Sequence, residues 1–152
     1  MPDLPPGSVV RANDTPPIQW SSQTTSISTV TTTYTTTVSA GTYVATAVAF
    51  TAPTTGRVKI TVAARLDNSA VAGTHLSAET KTGSTIGSGT TVEAAADATA
   101  VQNYSGTQIH GEVSHILEGL TPGDIYNTVL LHRVTSGTGS FAFRYLIVEP
   151  VS

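Results

Sequence analysis

Between Arg57 and Asp67 apolar and polar residues alternate almost without a break: Val58, Ile60, Val62, Ala64 and Leu66 on one side, Arg57, Lys59, Thr61 and Arg65 on the other. Successive side chains of a pleated chain point to opposite faces, so this period predicts a strand with one face buried. Similar segments run from Thr42 to Thr51, Thr74 to Thr82, Thr90 to Ala96, Gln108 to Leu117, Ile125 to Thr135 and Ser140 to Glu149. In the second of these seven segments in chain order the inward face is set as Val58 to Leu66, and in the first as Val44, Thr46, Val48 and Phe50. The separators are turn formers: Ala52-Pro53-Thr54-Thr55-Gly56, Asp67-Asn68-Ser69, the glycines of Lys81 to Gly89, Thr121-Pro122-Gly123-Asp124 and Ser136-Gly137-Thr138-Gly139. Asp97 to Tyr104 is the one plausible helical turn. A succession of short strands with such punctuation predicts an all-β, two-sheet antiparallel sandwich.

The stretch from Thr24 to Thr37 is nearly all Thr, Ser, Val and Tyr. β-branched side chains crowd a helix at χ1 and fit a pleated surface, so residues 20–40 are expected to form Thr-rich first strands anchored by Ile27, Val30, Tyr34 and Val38. Residues 1–19 carry Pro2, Pro5, Pro6, Pro16 and Pro17, which favour extended backbone and remove donors. They read as a docking arm, with a short strand at Ser8 to Arg11, preceding one sandwich domain over 20–152.

Charged residues make up 11% of the chain, against roughly 25% in ordinary domains. Seven Lys and Arg, spread along a chain of net charge −3, make no basic stripe, so nucleic acid is not an expected partner. Cysteine is absent, which removes disulfides and thiolate metal sites. No long apolar run predicts membrane insertion, and Met1 to Gly7 lacks the apolar core of a signal peptide. Aromatics are only 6% of residues, so each core position stabilises modestly, which predicts either thin sheet packing or burial completed by neighbouring subunits. Leu130-Leu131 and Leu146-Ile147-Val148 are apolar on both faces, which nominates Leu130, Leu146 and Val148 as subunit-interface residues.

Chemistry-bearing patterns are sparse. His110 and Glu112 share a strand face, with His115 on the other and His75 and His132 elsewhere, and they read as polar strand-face residues rather than metal ligands. Asp67, Glu79, Glu93, Asp97, Glu112 and Glu118 are scattered singly and read as solvated surface, not as a general acid–base pair. Gly83-Ser84-Thr85-Ile86-Gly87 is not a nucleophile elbow, and Gly87-Ser88-Gly89, with no Lys and no helix after it, is not a phosphate loop. No catalytic residue, cofactor or metal is expected. Exposed aromatics are the usual sugar-stacking groups, so Trp20 and Tyr104 are the candidate ligand or partner contacts, Trp20 rather as an anchor into a neighbouring surface.

Two motifs resemble known families. Phe50-Thr51-Ala52-Pro53-Thr54-Thr55-Gly56, followed by alternating Val58 to Val62, resembles the start of a strand in C1q/TNF-like jelly rolls, over roughly residues 41–149. That resemblance implies a compact homotrimer binding partners through loops and outer faces. Leu120-Thr121-Pro122-Gly123-Asp124-Ile125-Tyr126 is similar to the tyrosine corner of fibronectin type III domains, which keeps a fibronectin III/Ig-like sandwich as the alternative fold. The Leu4 to Ala12 opening, the Thr/Ala/Gly-rich middle and the Leu146 to Pro150 close resemble short tail-associated or head-surface proteins of actinobacterial phages. Together these imply a non-enzymatic phage virion protein: a trimeric tail-tip or fibre component, docked on other virion proteins through residues 1–19, with loops offered to a host-surface glycan or protein. A capsid decoration protein and a carbohydrate-binding module are the alternatives.

Overall fold

The alternating segments pair into two antiparallel sheets. The computed structural model describes residues 16–151; the expected strand at Ser8 to Arg11 and most of the arm lie outside them. Among the described residues ten strands follow in order: β1 (Gln19–Gln23), β2 (Ile27–Thr29), β3 (Ala47–Thr51), β4 (Val58–Asn68), β5 (Thr74–Thr82), β6 (Thr91–Glu93), β7 (Val101–Asn103), β8 (Ile109–Leu117), β9 (Ile125–Val134) and β10 (Gly139–Pro150), with one 3-10 turn at Asp97–Thr99. The first sheet has the order β1-β10-β4-β8, with β2 also on β10; the second has β3-β9-β5-β6, with β7 also on β5. Each sheet draws strands from both ends of the chain, which is the jelly-roll arrangement of interlocked Greek keys. The fibronectin alternative fails on this order, because there the last strand does not lie between the first strand and a middle one.

The faces follow the alternation. Val58, Ile60, Val62, Ala64 and Leu66 of β4 all pack inward, against Leu76 and Ala78 of β5 and Leu130 of β9. On β3, Val48 and Phe50 join that core and Thr46 just before it is buried, whereas Val44 precedes the strand and is exposed. Thr80 and Thr128 face each other inside, their hydroxyls 2.8 Å apart, so two buried polar groups satisfy one another.

β10 changes phase partway. Its pairing with β4 is interrupted between Ala142 and Tyr145, and Phe143 there has φ 47. Before this bulge Phe141 points in; after it Arg144, Leu146 and Val148 point in while Phe143, Tyr145 and Ile147 face the other way. An inserted residue flips every later side chain across the sheet. The opposite edge breaks at the same level: β2 pairs with residues 139–141 and β1 with 144–148.

The two family-like motifs meet at one end of the sandwich. Pro53 to Gly56 forms a turn closed by the Gly56 N–H on the Pro53 carbonyl (2.9 Å), and the Gly56 carbonyl accepts from Leu120 N–H at 3.0 Å. Ala52 N–H donates to Asp124 O (2.9 Å) and Gly123 N–H to Ala52 O (3.0 Å). Tyr126 accepts the Thr121 N–H on its hydroxyl at 2.9 Å and stacks on Phe50, centroids 5.9 Å apart. The tyrosine corner is thus present as a local device inside a jelly roll. Gly56 is required there: its φ is +65 and a Cβ would lie 2.5 Å from the Leu120 carbonyl oxygen.

Only part of the Thr-rich tract is strand. Residues 30–46 run irregularly beside β9, with Thr35 and His132 exchanging N–H···O bonds (3.1 and 3.0 Å) and Val134 N–H donating to Thr31 O at 2.9 Å. Thr29 and Thr35 hydroxyls accept the N–H of the residue two ahead, at 3.2 and 2.9 Å. Such short-range bonds compete with the ladder, which is why threonine content alone over-predicts strand here.

Candidate functional site

The two outer faces of the sandwich are treated differently. On the second sheet the outward side chains are roofed by the chain's own loops. His75 and Ser77 lie under the segment around Asp97, Ala96 N–H donates to the Ser77 hydroxyl (3.2 Å), and Asn127 accepts from Gly87 N–H (2.9 Å) beneath the 83–88 loop. The first sheet carries no such roof among the described residues. Trp20 on β1 and Phe143 and Tyr145 on β10 stand exposed there, at 68%, 37% and 41%.

Register fixes how these groups are laid out. One row runs Trp20, Ile147, Thr61, Ser114 across β1, β10, β4 and β8; the next runs Ser22, Tyr145, Ala63, Glu112. Small Ala63 between Tyr145 and Glu112 leaves a groove of about 310 Å³, walled by Phe143 and Tyr145 on one side and His110 and Glu112 on the other. The Arg65 guanidinium lies 4.7 Å from the centre of the Phe143 ring, and the His110 ring is 6.2 Å from it. The β10 bulge creates this wall. Without the extra residue Phe143 and Tyr145 would continue the inward phase of Phe141. A non-glycine residue at positive φ costs about 1–3 kcal/mol, and bulges of this kind re-aim side chains next to functional surfaces.

Trp20 belongs to this face, but Tyr104 does not. Tyr104 is exposed after β7 at the second sheet and packs edge-on against His75, centroids 5.3 Å apart. The two sequence-nominated aromatics are therefore on separate surfaces. Leu130, Leu146 and Val148 need correcting as interface residues: all three are buried in the core between the sheets. Leu146 and Val148 reach it because the bulge reverses the phase of β10, and the exposed partners of that reversal are Phe143 and Tyr145. Those two were missed; the only sequence signal for them is the Phe-x-Phe-x-Tyr run around a strand whose apolar pattern fits neither phase throughout.

The acids are also less solitary than their spacing implied. Asp97 takes two bonds from Arg133 (Nε at 2.9 Å, and Nη2) and one from the Tyr34 hydroxyl (2.9 Å). The Arg133 bonds hold the Asp97 carboxyl below its usual range, and burial together with Asp97 pushes Tyr34 well above its own. This clasp ties the Thr-rich tract to the 3-10 turn across the outer face of the second sheet. Glu93 meets His115 at 3.0 Å, Glu79 meets Lys81 at 3.0 Å and Glu118 meets Arg57 at 3.0 Å. His110 and Glu112 flank the groove, and among the described residues no three His, Asp or Glu side chains gather as a metal site.

Inside the sandwich, Arg144 is 1% exposed and its Nε and Nη2 have no hydrogen-bond partner among the described residues. Its guanidinium carbon lies 6.0 Å from the Tyr43 ring, and burial lowers its pKa. Neighbouring His132 donates Nε2–H to the Thr37 carbonyl (3.0 Å), and burial first, then the Arg144 charge, depress its pKa. His75, buried with Nδ1 3.7 Å from Asp97, is lowered by burial and by Arg133.

No family model and no curated protein matches the chain. Among solved structures it is similar to the subunit of T=1 particles derived from infectious bursal virus, with 15% identity and a TM-score of 0.50 over 97% of this chain and 35% of that one. It also matches the structure of infectious bursal disease virus strain Gt (13% identity, TM-score 0.43, 97% of this chain and 35% of that chain). A third match is the CBM22-1 xylan-binding domain of Paenibacillus barcinonensis Xyn10C (10% identity, TM-score 0.39, 86% of this chain and 94% of that chain). The chain thus spans about a third of the length of the viral chains it matches. At this identity the likeness to the bursal-virus particle subunit is one of fold: this chain is a β-sandwich of the kind found in a viral shell protein.

Proposed function

We propose that this chain is a non-enzymatic structural protein of a bacteriophage virion, a homotrimeric tail-tip or fibre component that offers its surface to the host. The observation that carries the reading is the jelly roll shared, over 97% of the chain, with the subunit of a virus particle. The disposition of its ionisable groups supports it. The acids Asp97, Glu93, Glu79 and Glu118 are engaged with bases, while His132 lies buried between the sheets and His75 under the segment around Asp97, on opposite sides of the second sheet. An apolar, aromatic outer face next to polar loops suits a subunit that is assembled and displayed. Residues 1–19 would dock it on neighbouring virion proteins.

The viral match is to particle subunits, and that favours a second reading, a capsid decoration protein. Gold-labelled antibodies against the chain, applied to phage particles that encode it, separate the two. Label at the tail end is expected; label over the head moves the protein to the capsid surface; particles that never take label sink the virion reading. Removing residues 1–19 should leave a folded trimer that no longer joins the particle.

A further inference from the structure

We propose that the outer face of the β1-β10-β4-β8 sheet is a binding platform for a neutral polysaccharide chain, with Trp20, Tyr145 and Phe143 as stacking groups. The inference deepens the host-attachment reading and rests on it for its biological setting only. Phe143 and Tyr145 are two residues apart along β10, across the bulge, and so at most about 7 Å apart along the backbone. Trp20 lies on the neighbouring strand, opposite Ile147 and two positions on from Tyr145, another 7–8 Å or so along the diagonal. Three exposed rings therefore follow one another along one outer face of the sheet, which suits a linear ligand with apolar C–H faces better than a compact one.

The polar groups between the rings specify the class. Ser22, Ser114 and Glu112 share these rows and His110 borders them, so the face presents both donors and acceptors, as the hydroxyl edges of a sugar require. The core of a protein–protein interface is depleted of charged residues, whereas here charges border the rings directly. Those charges cancel locally: Lys59 pairs with Glu149 at 3.4 Å, and Arg65 lies against Phe143 within reach of the same face as Glu112. No field of one sign remains to select an anionic or cationic polymer. The strained β10 bulge holds the Phe143 ring outward in advance, so little ordering is left for binding.

The test uses the full chain. Native gels cast with soluble mannan, dextran, arabinogalactan or, as the charged control, polygalacturonate read retardation, and Trp20, the chain's one tryptophan, reports contact by its own fluorescence. At least one neutral polysaccharide should retard the protein and shift Trp20 emission. Tyr145→Ala and Trp20→Ala should each weaken retardation about tenfold, while Tyr104→Ala on the opposite sheet should not. Unchanged urea midpoints verify that the variants are folded. The proposal is overturned if no neutral gel retards the chain, if only polygalacturonate does, or if the Tyr145 and Trp20 variants bind as well as the parent. It is equally overturned if the parent is not retarded and Tyr145→Ala dissolves a self-association seen by sedimentation, for then a second copy covers the face. A failure in the gels leaves the particle-labelling result untouched, so the two readings fail separately.

Discussion

Replacing Arg144 with methionine removes a positive charge from the interior and leaves a side chain of nearly the same length and volume. In the native protein Arg144 is 1% exposed, and two of its nitrogens, Nε and Nη2, have no hydrogen-bond partner among the described residues. What stands near it is the Tyr43 ring, 6.0 Å away, a cation–π contact worth about 0.5–2 kcal/mol. Against that, taking an ion out of water costs several kcal/mol even after relaxation. Buried charges replaced by well-packed apolar residues commonly leave proteins about 1–4 kcal/mol more stable, and that gain is expected for Arg144→Met. At this chain length each kcal/mol moves Tm by about 2–4 °C. Urea unfolding followed by circular dichroism at pH 7, at one protomer concentration, gives the difference directly as a shift in midpoint at constant slope. A loss of 1 kcal/mol or more would refute the reasoning, because it would mean that the charge is satisfied inside by bonds to water or an anion.

Tyr126→Phe deletes the acceptor of the Thr121 N–H while keeping the stack on Phe50, and should destabilise by about 1–3 kcal/mol; a neutral result in the same urea assay would mean that water takes over the Thr121 N–H. Acid should destabilise the protein in a defined window. Burial holds His75 and His132 below their ordinary value near 6.5, so the unfolded chain binds more protons as pH drops. Their contribution is complete above about pH 6.5 and is lost on acidification, with a slope of at most roughly 3 kcal/mol per pH unit from two protons. Asp97, also depressed, adds a loss of the same sign at lower pH, below its ordinary 3.8. Midpoints measured from pH 5 to 8 should rise and then level, and the double variant His75→Gln/His132→Gln should flatten the rise; a midpoint that climbs toward acid contradicts the assignment.

How far the sequence could be read is clearest on β10. Its apolar residues occupy both parities, Phe141 in one and Leu146 and Val148 in the other, and a strict period of two leaves one set outside. The structure resolves this with a single bulge that buries Leu146 and Val148 and exposes Phe143 and Tyr145. The conformation of one residue decides the side of every residue after it, and no local propensity marks Phe143 as the one to take positive φ. Trp20 was identifiable as a contact because a lone tryptophan in a polar strand has few interior uses. Its companions were not.

Alternation, turn residues and the shortage of charge were enough to predict an antiparallel sandwich and the facing of β4, since those signals act between neighbours in the chain. Which strand lies beside which, β10 between β1 and β4 or the Pro53–Gly56 turn against Leu120, depends on contacts between residues tens of positions apart. The same holds for Asp97, whose partners Arg133 and Tyr34 reach it from distant segments. Local stereochemistry writes the strands into the chain, whereas their order, the buried charge and the uncovered aromatic face arise only when two sheets close over a common core.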